Sequence, residues 1–457
     1  MGLGWAIKKA KVEGKSLRKI GPYIKKRFGI KKAFIALDRK IGNSYRKRYA
    51  KRIKVNDNQV FFYTFQGTYT CNPKYISEEL ERRNADVTIY WALKNPKSMG
   101  EFSDSTRVIP VKINIYEYFE AAMSSKILIT NAIIGDKNYM IPIKKNQVLI
   151  ETWHGSLGLK RFDPKSYNSS KDWPKAMAKT GKQTSYCISN SAFEDDVYRD
   201  TFWAEGTEIM RFGHPRNDIL FDDGTKTAEI LDKVLLKYKV FERVQKIIAK
   251  ENKDIEDFVM PEIDKKDIHF IMYAPTFRDD HNFSVYNIDF NMLLDTLTEK
   301  YGGHWFLLLR YHPTVLQEQK TANKLKSPRI VNVSNYTDIQ ELMLIADMGI
   351  SDYSSWMFDY MLTRKPLFVY AADLAFYKSE RSFYYPIEST PFPVAVSNNK
   401  LIENIKNFNN EEYVKKVNEF IEGKGCVDDG LAAKRTVDLI LKIIEDSKNS
   451  KSKKKKK

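Results

Sequence analysis

The side chains able to do chemistry in this chain are few, and they recur in one kind of position. Of six histidines, three follow apolar runs of strand length: His154 after "VLIETW", His214 after "EIMRFG" and His312 after "FLLLRY". Imidazole, with an unperturbed pKa of about 6.5, is the side chain that can take a proton from a hydroxyl near neutral pH. Basic and hydroxyl groups sit at further run ends. Thr276 and Arg278 lie in "YAPTFRDD" (273–280), and Arg310 precedes His312 in "LLLRYHPTV" (307–315). A guanidinium can clamp a phosphate bidentately. In "SDYSSWMFDYM" (351–361) a strand runs into a helix start carrying Ser354 and Ser355. Free backbone N–H groups, the helix dipole and two hydroxyls there suit an anion, a diphosphate above all. Asp359, one helical turn deeper, is positioned for a ribose hydroxyl. Each feature also has an ordinary reading: a serine N-cap, a surface salt bridge, a structural loop histidine. What favours a site is the recurrence at strand ends, because open α/β sheets bind ligands outside the carboxyl ends of their strands. His269, His281 and His304 lack that placement.

Other chemistries find no support. No H-E-x-x-H or C-x-x-C occurs, and the pairs Asp195-Asp196, Asp222-Asp223 and Asp279-Asp280 do not sit at a strand end, so no metal site is expected. No G-x-G-x-x-G follows the first strand, which argues against NAD or FAD, and no other cofactor is expected. Cys71, Cys187 and Cys426 are too scattered for a disulfide framework and fit a reducing, cytoplasmic setting.

The elements that must position these residues read as alternating strands and helices. Strands are predicted at 59–65, 87–92, 107–111, 126–130, 147–152, 184–189 and 208–212. A second set falls at 268–273, 304–310, 329–333, 347–351 and 366–370. Helices at 74–84, 115–125, 290–300, 338–346, 355–363 and 400–408 fill gaps between them. Such alternation implies parallel sheets covered on both faces. The expected architecture is α/β: two doubly wound, Rossmann-like domains, 55–223 and 263–446, facing a cleft and joined by a charged helical connector, 224–262. The helices 411–422 and 431–446 could cross back to brace the first domain.

The ends differ in character. Net charge is +18, yet residues 1–54 hold 19 Lys/Arg against two acids, and 447–457 hold seven Lys and no acid, leaving the body mildly acidic. That distribution does not fit a nucleic-acid groove, where charge lines the folded face. In 1–54 apolar residues recur at spacings of three and four (Leu17, Ile20, Ile24, Phe28), a basic amphipathic helical segment suited to an anionic membrane surface. The tail 447–457 reads as disordered. No apolar run approaches the ~18–20 residues of a spanning helix.

Taken together, "ETWHGSLGLKRF" (151–162), "YAPTFRD" (273–279), "RYHP" (310–313) and "SDYSSWMFDY" (351–360) resemble, in order and spacing, the CDP-glycerol glycerophosphotransferase family of teichoic acid and capsule enzymes. The resemblance covers roughly 140–390, and more loosely 59–400. It implies a GT-B fold, a CDP-polyol donor in the C-terminal half, a lipid-linked or polymeric acceptor and a peripheral enzyme at the cytoplasmic face of the membrane. By position, His154 matches the histidine taken as base and His312 the second essential histidine at the donor phosphates. Ser354 and Ser355 match the pyrophosphate segment, Asp359 a carboxylate near the donor and Arg278 a basic position in that site. Many polymerases carry a proline after the small residues that follow the first histidine. Here Ser156-Leu157-Gly158-Leu159 stands instead, as in capsule-type members. The implied reaction is attack of an acceptor hydroxyl on the β-phosphate with CMP leaving. The alternative on the same fold is a glycosyltransferase with a nucleotide-sugar donor.

Overall fold

The apolar runs assemble into two sheets, parallel throughout, in a computed structural model. The structure describes residues 48–455 apart from 66, 98–106, 114–116, 133–140, 162–171, 202, 204–205, 279–281, 313–314, 316–325 and 381. The first sheet contains β1 (Asn56–Tyr63), β2 (Thr88–Leu93), β3 (Val108–Lys112), β4 (Ser125–Thr130), β5 (Val148–Glu151), β6 (Tyr186–Ser189) and β7 (Glu208–Arg211). Its spatial order is β3-β2-β1-β4-β5-β6-β7. The second contains β8 (Ile268–Tyr273), β9 (His304–Leu309), β10 (Ile330–Asn332), β11 (Met348–Ser351), β12 (Leu367–Tyr370) and β13 (Val394–Ala395), in the order β10-β9-β8-β11-β12-β13. Two-residue β13 is too short to show as a period-two run, and it escaped the sequence reading.

Both sheets are apolar on both faces, as a covered parallel sheet requires. Val60 and Phe62 of β1 pack to one side with Ile127 and Ile129, while Phe61 packs to the other with Leu128, Phe119 and Met123. In the second sheet Phe270, Met272, Phe306 and Leu308 face one core and Ile271, Leu307 and Leu309 the other.

The strand order places the site. It reverses between β1 and β4 in the first sheet and between β8 and β11 in the second. Loops leaving neighbouring strands at such a switch diverge to opposite faces and leave a crevice at the strands' carboxyl ends. The residues after β1, β4 and β5 on one side, and after β8, β9 and β11 on the other, are therefore the ones brought to the crevice.

Of the expectations about the C-terminal end, one is met and two are revised. The helix Ala432–Lys455 does return to the first sheet, burying Val437, Ile440 and Ile444, which share one helical face. The helix Asn410–Gly423 instead stays on the second sheet, through Tyr413 and Val417. The tail predicted as disordered is helical as far as Lys455, because Asp57 receives both Ser447 Oγ (2.8 Å) and Lys451 Nζ (2.6 Å). The connector resolves into helices Thr225–Lys237 and Val240–Glu251, which turn at Lys239 (φ +52°) and press Val234, Val240 and Val244 into the second core. Of the basic segment 1–54, all but the last residues lies outside the described residues; Ala50 is buried against the first sheet. Among the described residues no helix is long and apolar enough to cross a membrane.

Candidate active site

Between the sheets lies a cleft of about 900 Å³. Its first-sheet wall includes Phe65, Lys94, Trp153, His154, Gly155, Lys160 and Arg161; its second-sheet wall includes Thr276, Arg310, His312, Ser354 and Ser355. The walls are tied by contacts that bury charge. Lys74 Nζ meets Asp338 at 2.6 Å and Glu341 at 2.9 Å, and Arg216 meets Asp359 at 3.0 Å. The segment after His154 also forms a short antiparallel bridge across the cleft, with Tyr384 N donating to Leu159 O (2.8 Å) and Arg161 N to Ser382 O (2.9 Å).

His154 stands on a turn built to hold it. β5 ends at Glu151, whose carboxyl accepts the Trp153 N–H at 2.8 Å. Trp153 adopts a left-handed conformation (φ +50°), costly for a bulky residue, and Asn72 Nδ2 secures the carbonyls of Thr152 (2.9 Å) and Trp153 (3.2 Å). The His154 Nδ1 lies 2.7 Å from the carbonyl of Asn131. A carbonyl can only accept, so Nδ1 carries the proton and Nε2 keeps its lone pair. The His154 side chain is exposed to the cleft, although protein packs densely around the base of the ring. Burial, opposed by the Asn131 bond and assisted by Arg216, lowers its pKa to about 4. It is therefore neutral at physiological pH, as a base must be. Glu151 is wholly buried, and burial pushes its carboxyl well above the usual range despite two backbone bonds.

Across the cleft, Ser354 and Ser355 follow β11 at the start of the helix Trp356–Tyr360. Ser355 makes no side-chain cap bond, so its hydroxyl is not used as an ordinary N-cap. Thr276 is pinned after β8, its N–H (2.9 Å) and hydroxyl (2.8 Å) both donating to Asp352. His312 faces the same space, its ring 4.6 Å from that of Phe277. Arg310 lines the cleft, with its guanidinium donating to the carbonyls of Val333 (3.2 Å) and Tyr336; burial lowers its pKa.

Three sequence-predicted residues are placed elsewhere. Arg278 is buried behind Thr276, bonded to Asp352 (2.8 Å) and Asp373 (2.7 Å) and stacked near Tyr353 and Tyr377. Burial opposes its charge, but the two carboxylates win and raise its pKa. It neutralises the Asp352 that orients Thr276, rather than lining the cleft. Asp359 is also buried and faces away from the cleft, held by Ser156 Oγ, Arg216 and Asn217 Nδ2 (3.0 Å). One helical turn carries its side chain inward to the interface, where Arg216 claims it. His214 is fully buried, its Nε2 3.1 Å from Glu194, and burial is outweighed by Glu194, which raises its pKa. It belongs to the packing behind the cleft.

Sequence reasoning passed over Asn131, Arg216, Asn72, Lys74 and Phe65. Asn131 and Phe65 follow strands on either side of the topological switch, a signal that needed the strand order. Arg216 adjoins the His-Pro pair already singled out, and Lys74 sits in an unremarkable helix. Among the described residues, no three His, Cys, Asp or Glu side chains are placed to hold a metal ion.

Comparison with known proteins settles the family. The profile described as CDP-Glycerol:Poly(glycerophosphate) glycerophosphotransferase matches residues 45–240 and 243–442. This chain belongs to that family. It is 31% identical over 414 residues to a teichoic acid poly(glycerol phosphate) polymerase of Staphylococcus epidermidis, covering 87% of this chain and 52% of that protein. It therefore spans about half the length of that relative. A Bacillus spizizenii protein of the same description is 27% identical over 399 residues, covering 84% of this chain and 92% of its own. A solved structure of the wall teichoic acid polymerase TagF, a histidine variant soaked with CDPG, superposes with a TM-score of 0.72 at 28% identity, covering 91% of this chain and 97% of that one. The two parallel sheets are thus the GT-B-like pair that the glycerophosphotransferase family resemblance implied.

Proposed function

We propose that this glycerophosphotransferase family member transfers a polyol phosphate, glycerol phosphate foremost, from a CDP-polyol to an acceptor hydroxyl in teichoic acid synthesis and releases CMP. The observation that carries the reading is the opposition, across one cleft, of a histidine with its tautomer set and a hydroxyl-rich helix start. In this mechanism the acceptor oxygen attacks the β-phosphorus as its proton passes to His154 Nε2, and the bond to the CMP oxygen breaks. Charge gathering on the phosphoryl oxygens and on CMP is met by donors already in place. Those donors are His312, the Ser354 and Ser355 hydroxyls, the backbone N–H groups at that helix start and Arg310, while Thr276, whose own donors are spent on Asp352, shapes the wall beside them. Arg278 and Asp359 act one layer behind, holding Asp352 and Arg216.

A polymeric acceptor, lipid-linked at the membrane, and the basic segment 1–54 as an anchor to an anionic surface complete the proposal; a capsule polymer would be served by the same chemistry. The N-terminal sheet would then present the acceptor, and the C-terminal sheet the donor. The test is release of CMP from CDP-glycerol and CDP-ribitol by the purified protein with source-cell membranes, beside His154→Ala. CMP from one donor, abolished in the variant, supports the reading and names the polyol. Release of UDP or GDP from a nucleotide sugar instead would replace it with glycosyl transfer.

A further inference from the structure

The cleft wall beside His154 carries a large apolar side chain that the reaction described above does not use. Phe65 is 62% exposed, yet its ring lies 5.5 Å from the His154 imidazole and nearly parallel to it, at 16°. That exposure is not the product of a loose loop. Phe65 opens a turn closed by Gly67 N donating to Thr64 O (2.9 Å) and by Thr64 Oγ1 donating to Thr68 O (2.6 Å). Gly67 is left-handed (φ +63°), and a side chain there would meet Ile113 Cδ1 at 2.5 Å, so the position requires glycine. Asn131 links the two residues: its side-chain oxygen accepts the Phe65 backbone N–H (2.8 Å), and its carbonyl accepts the His154 Nδ1–H (2.7 Å). Lys94, whose N–H donates to Gly67 O at 2.9 Å, stands next along the same wall.

An exposed aromatic face stacked against a general base has two physical consequences. It offers the C–H face of a polyol or sugar an apolar partner, and it denies water that side of the base. Either would favour an organic hydroxyl over water as the attacking group. Attack by water breaks the same phosphorus–oxygen bond and releases the same CMP, but leaves free polyol phosphate in place of extended acceptor. Resting on the polyol-phosphate transfer proposed above, we propose that Phe65 is a specificity-determining residue of the acceptor subsite. Held by Asn131, it selects an acceptor carrying C–H faces, with Lys94 beyond it for an acceptor phosphate, and suppresses donor hydrolysis.

The experiment uses the full chain with CDP-glycerol and CDP-ribitol and a synthetic glycerol phosphate oligomer, measuring CMP, extended oligomer and free polyol phosphate together. A contact of the strength seen between paired aromatic rings corresponds to about 3–10-fold. Phe65→Ala is expected to raise the KM for the oligomer about 3–10-fold and the ratio of free polyol phosphate to CMP at least about threefold, with the donor KM unchanged. Phe65→Trp is expected to restore both, which a merely structural role would not require. Lys94→Ala should raise the oligomer KM without changing the hydrolysis ratio. An unchanged ratio and oligomer KM in folded Phe65→Ala, or in Phe65→Leu should that variant be the better folded, overturns the proposal while leaving the transfer reading intact. No CMP from either donor with the wild-type protein overturns both.

Discussion

The lowered pKa of His154 makes the pH dependence of transfer the sharpest test of the mechanism. A general base works only while deprotonated, and kcat/KM reports the free enzyme. An imidazole at its ordinary pKa of about 6.5 would be only about 9% neutral at pH 5.5. With burial holding it at about 4, the same residue is about 97% neutral at that pH. The expected outcome is a kcat/KM for CDP-polyol that stays nearly level from pH 8 to pH 5.5, where an unperturbed base would already have lost about tenfold. The acid limb of kcat should lie higher than that of kcat/KM, since the bound diphosphate favours the imidazolium. The assay is initial-rate release of CMP from pH 4.5 to 8 at constant ionic strength, with far-UV circular dichroism at each pH to show the fold intact. A kcat/KM limb near 6.5 would refute the reasoning, because it would mean that cleft water solvates the ring freely and that the surrounding protein does not govern its protonation.

Further outcomes follow from the same contacts. Glu151, buried with a raised pKa, contributes stability at low pH that is lost as pH rises from about 4.5, by up to roughly 1.4 kcal/mol for each unit. Glu151→Gln should therefore be more stable than wild type at pH 8 and show no such advantage at pH 4, measured as urea midpoints; a gap independent of pH would contradict the assignment. Lys74→Met leaves Asp338 buried without its cation and is expected to cost about 3–5 kcal/mol, read from denaturant unfolding, with a loss below 1 kcal/mol counting against a desolvated pair. Ser354→Ala with Ser355→Ala removes two hydroxyl donors to a charged group and should raise the KM for CDP-polyol about tenfold or more, whereas His154→Ala should act on kcat. If the double serine variant left donor KM unchanged, the helix start would not be the phosphate site.

The division between what the chain's residues dictate and what their assembly adds can be drawn residue by residue. Short apolar runs alternating with helical segments located twelve of the thirteen strands among the described residues, and so the α/β class, because a strand covered on both faces is a local run of apolar side chains. His154, His312, Thr276, Arg310, Ser354 and Ser355 were legible as cleft residues for the same reason: each stands at a strand's carboxyl end, and that end is visible in sequence. Residue type alone could not separate a cleft-facing group from one a layer behind. Arg278 and Asp359 have the right chemistry for a phosphate or a ribose, but their partners, Asp352, Asp373 and Arg216, come from distant segments and claim them. His214 is in the same position with Glu194. Strand order is likewise a long-range property, so the topological switch that brings Asn131 and Phe65 against His154 appears only once β1 and β4 are seen side by side. The sequence by itself determined the elements, the family and the reactive ends of the strands. The tertiary structure decided which polar side chains meet the cleft and which are spent on holding it, because that depends on partners that only folding brings within hydrogen-bonding distance.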